Sequence, residues 1–141
     1  MSGEKILILF LMFLFSLQAE ACESDTIVVE LTPSQFYIVL HSHPQAVLID
    51  VRIMREYRRE RIPGAYAAEN REELLVLTDT LDRGEPLFLY CDDITRSRQA
   101  GEYLKEAGFL RIYLLAGGMY AWKRDGYETE KGRRRKRNVK R

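Results

Sequence analysis

Cysteine and histidine are scarce in this chain of 141 residues, which has two of each. With only Cys22 and Cys91, the fold cannot depend on a framework of several disulfides. His41 and His43 have no cysteine or carboxylate at ligand spacing, which argues against a zinc site. We interpret the two histidines as the end of a helix, with solvated or capping imidazoles.

A long hydrophobic run is also absent. The apolar stretch Ile6–Leu17 is too short to span a bilayer comfortably, and Ala19 and Ala21 follow it in the pattern of a signal peptidase site. We interpret residues 1–21 as a cleaved signal peptide and predict an exported protein, periplasmic or extracellular. An uncleaved anchor or a buried N-terminal helix is the alternative. Cleavage would expose Cys22, although the preceding residues do not match a lipoprotein signal.

Acidic residues are missing from the end of the chain, where eight of the last eleven residues are Lys or Arg. Residues 1–130 hold all 21 acidic residues against fourteen basic ones, a net charge of −7. We predict that the basic tail, residues 129–141, is disordered. Nucleic-acid binding is not expected, because the tail has no aromatic residue for base stacking. Weak contact with anionic lipid headgroups is one role; a plain solvated terminus is the simplest interpretation.

The remaining length suits one compact domain, predicted at residues 32–128 after an N-terminal segment at 22–31. Strands and helices are predicted to alternate along it, with strands near 26–30, 47–49, 65–67, 87–90 and 112–115. Thr32 and Asn70 are predicted helix N-caps, and the helix after Asn70 is predicted to run to Gly84 with Leu81 on its buried stripe. Alternation of this kind predicts a parallel sheet covered by helices on both faces.

An apolar run, Leu87–Tyr90, ends abruptly at Cys91. Because every position in the run is apolar, we predict a strand that is buried on both faces of the sheet. Ala100, Leu104 and Ala107 then recur at helical spacing. Cys91 should therefore lie at the carboxyl end of a central strand, facing the first turn of a helix.

That position suits a reactive thiol. Ligands bind at this edge of open α/β sheets, and a helix N-terminus offers free N–H groups to an anion. The same field, with Arg96 and Arg98, should lower the pKa of the Cys91 thiol. If the N–H groups of residues 92–97 curl around the sulfur, the four residues between Cys91 and Arg96 set the size of the pocket. One more residue would admit a tetrahedral phosphate, whereas this loop suits a single extra sulfur atom.

The pattern Cys-x-x-x-x-Arg-Ser after a buried strand resembles the active-site loop of the rhodanese (sulfurtransferase) family. Two further stretches resemble that family in the same order. Upstream are Asp50-Val51-Arg52, Glu56-Tyr57 and Ile62-Pro63-Gly64-Ala65, and downstream is the stretch Leu115 to Trp122. The resemblance spans roughly residues 32–128. It implies an α/β fold with an open parallel sheet of about five strands and helices on both faces.

The resemblance also implies a chemistry. Cys91 would be the catalytic nucleophile, carrying sulfur as a persulfide from a donor to a thiol or cyanide acceptor. Asp50 and Arg52 would support the loop that binds the substrate and stabilises the persulfide, namely Asp92, Asp93, Ile94, Thr95, Arg96 and Ser97. No metal or organic cofactor would be needed. The expected partners are a small sulfur donor and a thiol acceptor, either a small molecule or a redox protein, and we expect a monomer.

The loop departs from the family's pattern at its centre. Many members have a basic residue after the cysteine and a glycine in mid-loop, where this chain has Asp92, Asp93 and Ile94. Two carboxylates beside the thiol would repel thiosulfate, which is a dianion, and raise the pKa of the thiol. A second departure is Arg61, which stands where the family commonly has a histidine.

Two other functions stay open at this point. A rhodanese-like module could bind a partner or carry sulfane sulfur without efficient turnover; the acidic loop favours this, whereas the retained Cys91 and the loop length argue against it. A cysteine phosphatase or arsenate reductase shares the broad fold type. The four-residue spacing between Cys91 and Arg96, and the two aspartates, argue against a phosphate-like substrate.

Overall fold

A computed structural model of the protein describes residues 25–136. Within these residues five β-strands alternate with five α-helices. In chain order they are β1 (Ile27–Leu31), α1 (Pro33–His41), β2 (Val47–Asp50), α2 (Met54–Arg59), β3 (Tyr66–Ala67), α3 (Arg71–Thr78), β4 (Leu87–Tyr90), α4 (Thr95–Glu106), β5 (Arg111–Leu115) and α5 (Gly118–Arg124).

The strands form one parallel sheet in the order β1-β5-β4-β2-β3. Strand β4 lies at its centre, and every residue of β2 and β4 is buried. This confirms the prediction of an α/β fold with an open parallel sheet of five strands. The apolar runs of β2 and β4 have no polar face, and a strand of this kind suits only a position that helices cover on both faces of the sheet.

Helices cover both faces, and each face has its own apolar core. Leu87 and Leu89 of β4 pack with Leu74 of α3 and Leu104 of α4. The alternate residues of β4, Phe88 and Tyr90, point to the opposite core, where aromatic side chains from α1, α2 and α5 join them: Phe36, Tyr57 and Trp122. The two-residue alternation of a strand therefore divides one buried run between two cores.

The predicted N-caps are confirmed. The Thr32 side chain accepts a hydrogen bond from the Gln35 N–H, and the Asn70 side chain accepts one from the Glu73 N–H at 2.9 Å. His41 and His43 each donate a ring N–H to a carbonyl of α1, at 2.8 Å, so both imidazoles lie at the end of that helix. Within residues 25–136 no cluster of three or more His, Cys, Asp or Glu side chains is arranged to hold a metal ion.

The predicted end of α3 is wrong. The helix ends at Thr78, six residues before Gly84, and Leu81 lies in the turn that follows. Thr78 donates its hydroxyl to the Leu74 carbonyl, and the Gly84 N–H donates to the Asp82 side chain at 2.7 Å. Such side-chain bonds to nearby backbone compete with helix hydrogen bonds and favour a turn. Leu81 is nevertheless buried in the core.

The predicted signal peptide, residues 1–21, lies outside the described residues, as do residues 22–24 and 137–141. Across the part of the chain that the structure describes, no helix combines the length and apolar character needed to cross a bilayer.

The beginning of the basic tail differs from the disordered segment that we predicted. The Gly132 N–H donates to the Arg58 carbonyl at 3.1 Å, and Arg134 donates to the Ala67 carbonyl at 3.0 Å and pairs with Glu73 at 2.9 Å. The Arg135 guanidinium lies 5.3 Å from the centre of the Tyr66 ring. Gly132, Arg134 and Arg135 thus find carbonyl, acidic and aromatic partners on the domain, which a count of charges along the tail does not reveal.

The aromatic core generates a stability prediction. Phe88 is fully buried, meets Phe36 edge-on at 5.3 Å between ring centres and stacks on Tyr113 at 4.8 Å. Replacing it by alanine, Phe88→Ala, should lower the free energy of unfolding in urea by about 3–5 kcal/mol, because it leaves a cavity in the middle of the sheet. Tyr120→Ala, at a position 68% exposed, should stay within about 0.5 kcal/mol of the wild type. Equal losses would contradict this account of the core.

Candidate active site

Cys91 follows the last residue of the central strand, and α4 begins four residues later at Thr95. The structure thus brings the thiol to the predicted position, between a buried strand and the first turn of a helix. The Cys91 side chain is fully buried. Its carbonyl accepts a hydrogen bond from the Met119 N–H at 2.8 Å, and the Asp92 carbonyl accepts one from the Tyr120 N–H at 3.1 Å. The loop after β4 is therefore fixed to the start of α5.

This junction requires a glycine. Gly118 has a φ of +53°, and a Cβ atom there would lie 2.4 Å from the Cys91 carbonyl oxygen and 2.5 Å from the Asp93 carbonyl oxygen. Only a residue without a side chain lets the two backbone segments approach this closely.

Two polar side chains neighbour the thiol. The Cys91 Sγ lies 3.5 Å from Asp93 Oδ1 and 3.6 Å from Ser97 Oγ. Ser97 is buried, and its hydroxyl donates to the Ile94 carbonyl at 2.9 Å. Both residues belong to the predicted loop.

The Asp93 carboxylate turns into the loop. Its Oδ1 atom accepts hydrogen bonds from the N–H groups of Ile94 and Thr95, the latter at 2.8 Å, and its Oδ2 atom accepts one from the Thr95 hydroxyl at 3.2 Å. The N–H groups of Thr95 and then Ile94 hold the pKa of Asp93 at about 2. We expected such N–H groups to serve a sulfur anion on Cys91; in the structure, two of them serve the chain's own carboxylate.

Asp92 has different partners. Its Oδ1 atom lies 3.3 Å from Arg52 Nη1, and its Oδ2 atom lies 3.6 Å from Arg96 Nη2. Arg96 also approaches Glu56 at 3.5 Å. The two aspartates, which the sequence led us to treat together, therefore differ: one is paired with guanidinium groups and the other lies against the thiol.

The predicted supporting residues form a buried pair beneath the loop. The Arg52 Nε donates to both oxygens of Asp50, at 3.0 and 3.1 Å. Its Nη2 donates to Asp50 Oδ2 at 2.7 Å and to the Glu60 carbonyl at 2.6 Å. Burial alone would lower the pKa of Arg52, but the hydrogen bonds and charge of Asp50 outweigh burial and raise it. Arg52 also lies 5.6 Å from the centre of the Tyr90 ring. The pair thus joins the ends of β2 and β4 to the loop.

Tyr90 is a member of this network that we did not predict. Its hydroxyl accepts the Ile62 N–H at 3.0 Å, and burial, followed by the charge of Asp50, raises its pKa. The apolar run that reveals strand β4 conceals the role of its last side chain. A tyrosine at the end of such a run is the available signal, because a buried phenol usually needs a hydrogen-bond partner.

Two arginines lie away from the thiol. Arg98, expected to act on Cys91, pairs with Glu30 of the edge strand β1, with 3.0 Å between Nη2 and Oε2. Arg61, to which we assign no role from the sequence, is buried against the Tyr57 ring at 4.4 Å and pairs with Glu130 at 2.8 Å. It therefore holds the segment that follows the last helix.

Comparison with known proteins agrees with this geometry. The family model described as Rhodanese-like domain matches residues 32–125. The thiosulfate sulfurtransferase GlpE of Glaesserella parasuis serovar 5 (strain SH0165) is 34% identical over 103 residues, which cover 73% of this chain and 94% of that protein. The Alr3790 protein of Anabaena sp. matches with a TM-score of 0.65 at 28% identity, over 72% of this chain and 80% of that structure. A thiosulfate sulfurtransferase from Pseudomonas aeruginosa matches with a TM-score of 0.68 at 25% identity, over 77% of this chain but 21% of the larger protein.

The glycine at the loop junction generates a prediction. Gly118→Ala should lower the free energy of unfolding by about 2–5 kcal/mol, because a methyl group would collide with two backbone carbonyls and the backbone angle is unfavourable for alanine. Gly126→Ala is the matched control, since its φ is +81° and a Cβ there would meet no atom within 4 Å. It should cost only about 1–2 kcal/mol. Equal losses in urea denaturation would show that the contact with the loop is unimportant.

The buried pair of Arg52 and Asp50 leads to a second stability prediction for this site. Arg52→Leu leaves the buried Asp50 carboxylate without its partner, so we expect a loss of about 3–5 kcal/mol in unfolding free energy. Arg98→Leu removes a guanidinium whose pair with Glu30 is exposed, and should cost about 1 kcal/mol or less. Thermal and urea denaturation of both variants would test the difference, and a similar loss for each would contradict it.

Proposed function

The chain belongs to the rhodanese-like domain family, and from that premise we propose that it is a sulfurtransferase that moves sulfane sulfur through a persulfide on Cys91. The observation that carries the proposal is the position of this thiol. It lies at the carboxyl end of the central strand, at the first turn of α4, with four residues between it and Arg96. The printed name of the Glaesserella relative, thiosulfate sulfurtransferase, supports the same chemistry.

The reaction divides into two nucleophilic substitutions. The Cys91 thiolate attacks the outer sulfur of the donor, the bond between that sulfur and the rest of the donor breaks, and the donor leaves with the bonding electron pair. With thiosulfate the leaving group is sulfite. An acceptor thiolate or cyanide then attacks the outer sulfur of the Cys91 persulfide, producing a new persulfide or thiocyanate and restoring the thiolate.

The residues around the thiol have distinct roles in this scheme. The first turn of α4 and loop N–H groups other than those of Ile94 and Thr95, which Asp93 engages, would stabilise the persulfide anion. The Ser97 hydroxyl lies 3.6 Å from Sγ but donates its proton to the Ile94 carbonyl, so it would have to turn from that carbonyl to donate to the persulfide. Arg96, at the outer side of the loop, would attract an anionic donor or acceptor. Arg52 and Asp50 act as positioning residues, because they hold Asp92 and the strand ends rather than the reacting atoms.

The second candidate is a non-enzymatic module that carries sulfane sulfur or binds a partner. The full burial of Cys91 favours it, since a donor reaches the sulfur only if the loop moves. The contact of Asp93 with the thiol points the same way. From the pattern in residues 1–21 we further propose that the protein works outside the cytoplasm. Its partners would be a small sulfur donor and a thiol acceptor.

Intact-mass measurements test the enzyme against the carrier. The full chain is exposed to thiosulfate, or to an organic persulfide, and we expect the gain of one sulfur atom that cyanide removes as thiocyanate. The gain should persist in Cys22→Ser and disappear in Cys91→Ser. Repeated turnover establishes the enzyme, and a single stable loading supports the carrier. Failure of every donor to load a thiol that iodoacetamide still alkylates would overturn both the enzyme and the sulfur carrier, and would leave a module that binds a partner.

A further inference from the structure

The Asp93 carboxylate contacts the sulfur of Cys91, with Oδ1 at 3.5 Å from Sγ. Resting on the proposed sulfur transfer, we propose that Asp93 determines donor specificity: its carboxylate excludes dianionic donors such as thiosulfate and favours persulfides, which carry at most one negative charge on the sulfur group. Asp93 is thus a specificity-determining residue rather than a nucleophile or an acid.

A sulfur donor needs the space beside Cys91 Sγ. The outer sulfur of a donor, and afterwards the outer sulfur of the persulfide, must lie next to Sγ within the loop. The Asp93 carboxylate lies there now, and it uses the N–H groups of Ile94 and Thr95 and the Thr95 hydroxyl. An anionic donor must therefore compete with a carboxylate that is covalently part of the loop and always present.

The charges of Asp92 and Asp93 have different partners. The carboxylate of Asp92 is compensated by Arg52 and Arg96, but the polar contacts of Asp93 are to neutral groups, namely the backbone N–H groups, a hydroxyl and the thiol. Arg98, the other guanidinium of this turn, makes its hydrogen bonds to Glu30 and acts on Asp93 only as a more distant charge. A dianion that approaches Sγ consequently meets a full negative charge at contact distance, whereas a neutral or singly charged group meets less repulsion.

Protonation does not remove this charge. With its pKa held at about 2, Asp93 stays ionised from about pH 4 upward, so the exclusion persists at any pH at which a thiolate is useful. Displacement of the side chain, or its replacement, is then the way to admit a dianion.

Two alkylating reagents of nearly equal size test the charge effect without any sulfur transfer. Iodoacetamide is neutral and iodoacetate is an anion, and both lose iodide to the same thiolate. The ratio of their rates therefore cancels differences in thiol ionisation and in access. Rates at Cys91 are followed by peptide mass spectrometry in the full chain and normalised to free cysteine. Asp93→Asn keeps an oxygen that can accept the N–H groups but removes the charge, and it should raise the relative iodoacetate rate at least tenfold.

Glu106→Gln serves as the control, because it removes one negative charge at the far end of α4, where Glu106 is exposed and pairs with Arg71. Its rate ratio should stay within twofold of the wild type. A ratio that is unchanged in Asp93→Asn, or that moves equally in both variants, would overturn the assignment.

Donor kinetics complete the test. The ratio of kcat/KM for thiosulfate to kcat/KM for 2-hydroxyethyl persulfide should rise at least tenfold in Asp93→Asn and stay constant in Glu106→Gln. A constant ratio in both variants would overturn Asp93 as the specificity residue while leaving the sulfurtransferase intact. If no variant transfers sulfur but the alkylation ratio moves in Asp93→Asn alone, the proposed function is wrong and the charge filter at Cys91 is supported.

Discussion

Every residue of β4, the central strand of the sheet, is buried. A parallel strand with neighbours on both edges and helices on both faces cannot shift its register without exposing a whole set of apolar side chains. Its carboxyl end, and therefore Cys91, occupies a fixed point. The hydrogen bond from the Met119 N–H to the Cys91 carbonyl, and the contact that only a glycine at position 118 permits, then fix the loop to the start of α5. The Cys91 sulfur therefore lies on a backbone that is held by the sheet on one side and by α5 on the other.

Several acidic side chains of residues 25–136 have a cationic partner. Asp50 and Asp92 share Arg52, Glu30 pairs with Arg98, and Glu130 pairs with Arg61. Asp93 is the exception among the loop carboxylates, since its hydrogen bonds come from backbone N–H groups and a hydroxyl. Such donors satisfy a carboxylate without neutralising it, which explains how its pKa can be low while its negative charge remains next to the thiol.

The sequence predicted the parts of this arrangement that depend on burial and on local capping. The runs at β2 and β4 are apolar because they are covered on both faces, and Thr32 and Asn70 cap helices through bonds that span three residues. It did not predict the end of α3, because Thr78 and Asp82 bond to nearby backbone and stop a helix that its leucine spacing would continue. Nor could it separate Asp92 from Asp93. Spacing places both beside the thiol, but the direction of each side chain follows from competition between Arg52 and the N–H groups of α4, which the tertiary structure decides.

A loop of backbone N–H groups can bind an anion and still discriminate against one kind of anionic donor. A cradle of N–H groups at a helix terminus binds any anion that fits, so the fold by itself gives little discrimination among sulfur donors. A carboxylate that is covalently part of the loop competes with the donor for these N–H groups, and its effective concentration is high. This competition lowers the affinity of donors that bind through their own negative charge. Donors held mainly by contacts outside the loop lose less affinity. In this chain, therefore, selectivity would arise from one side chain that occupies the cradle, while the same strand, glycine and buried ion pair continue to hold the sulfur in place.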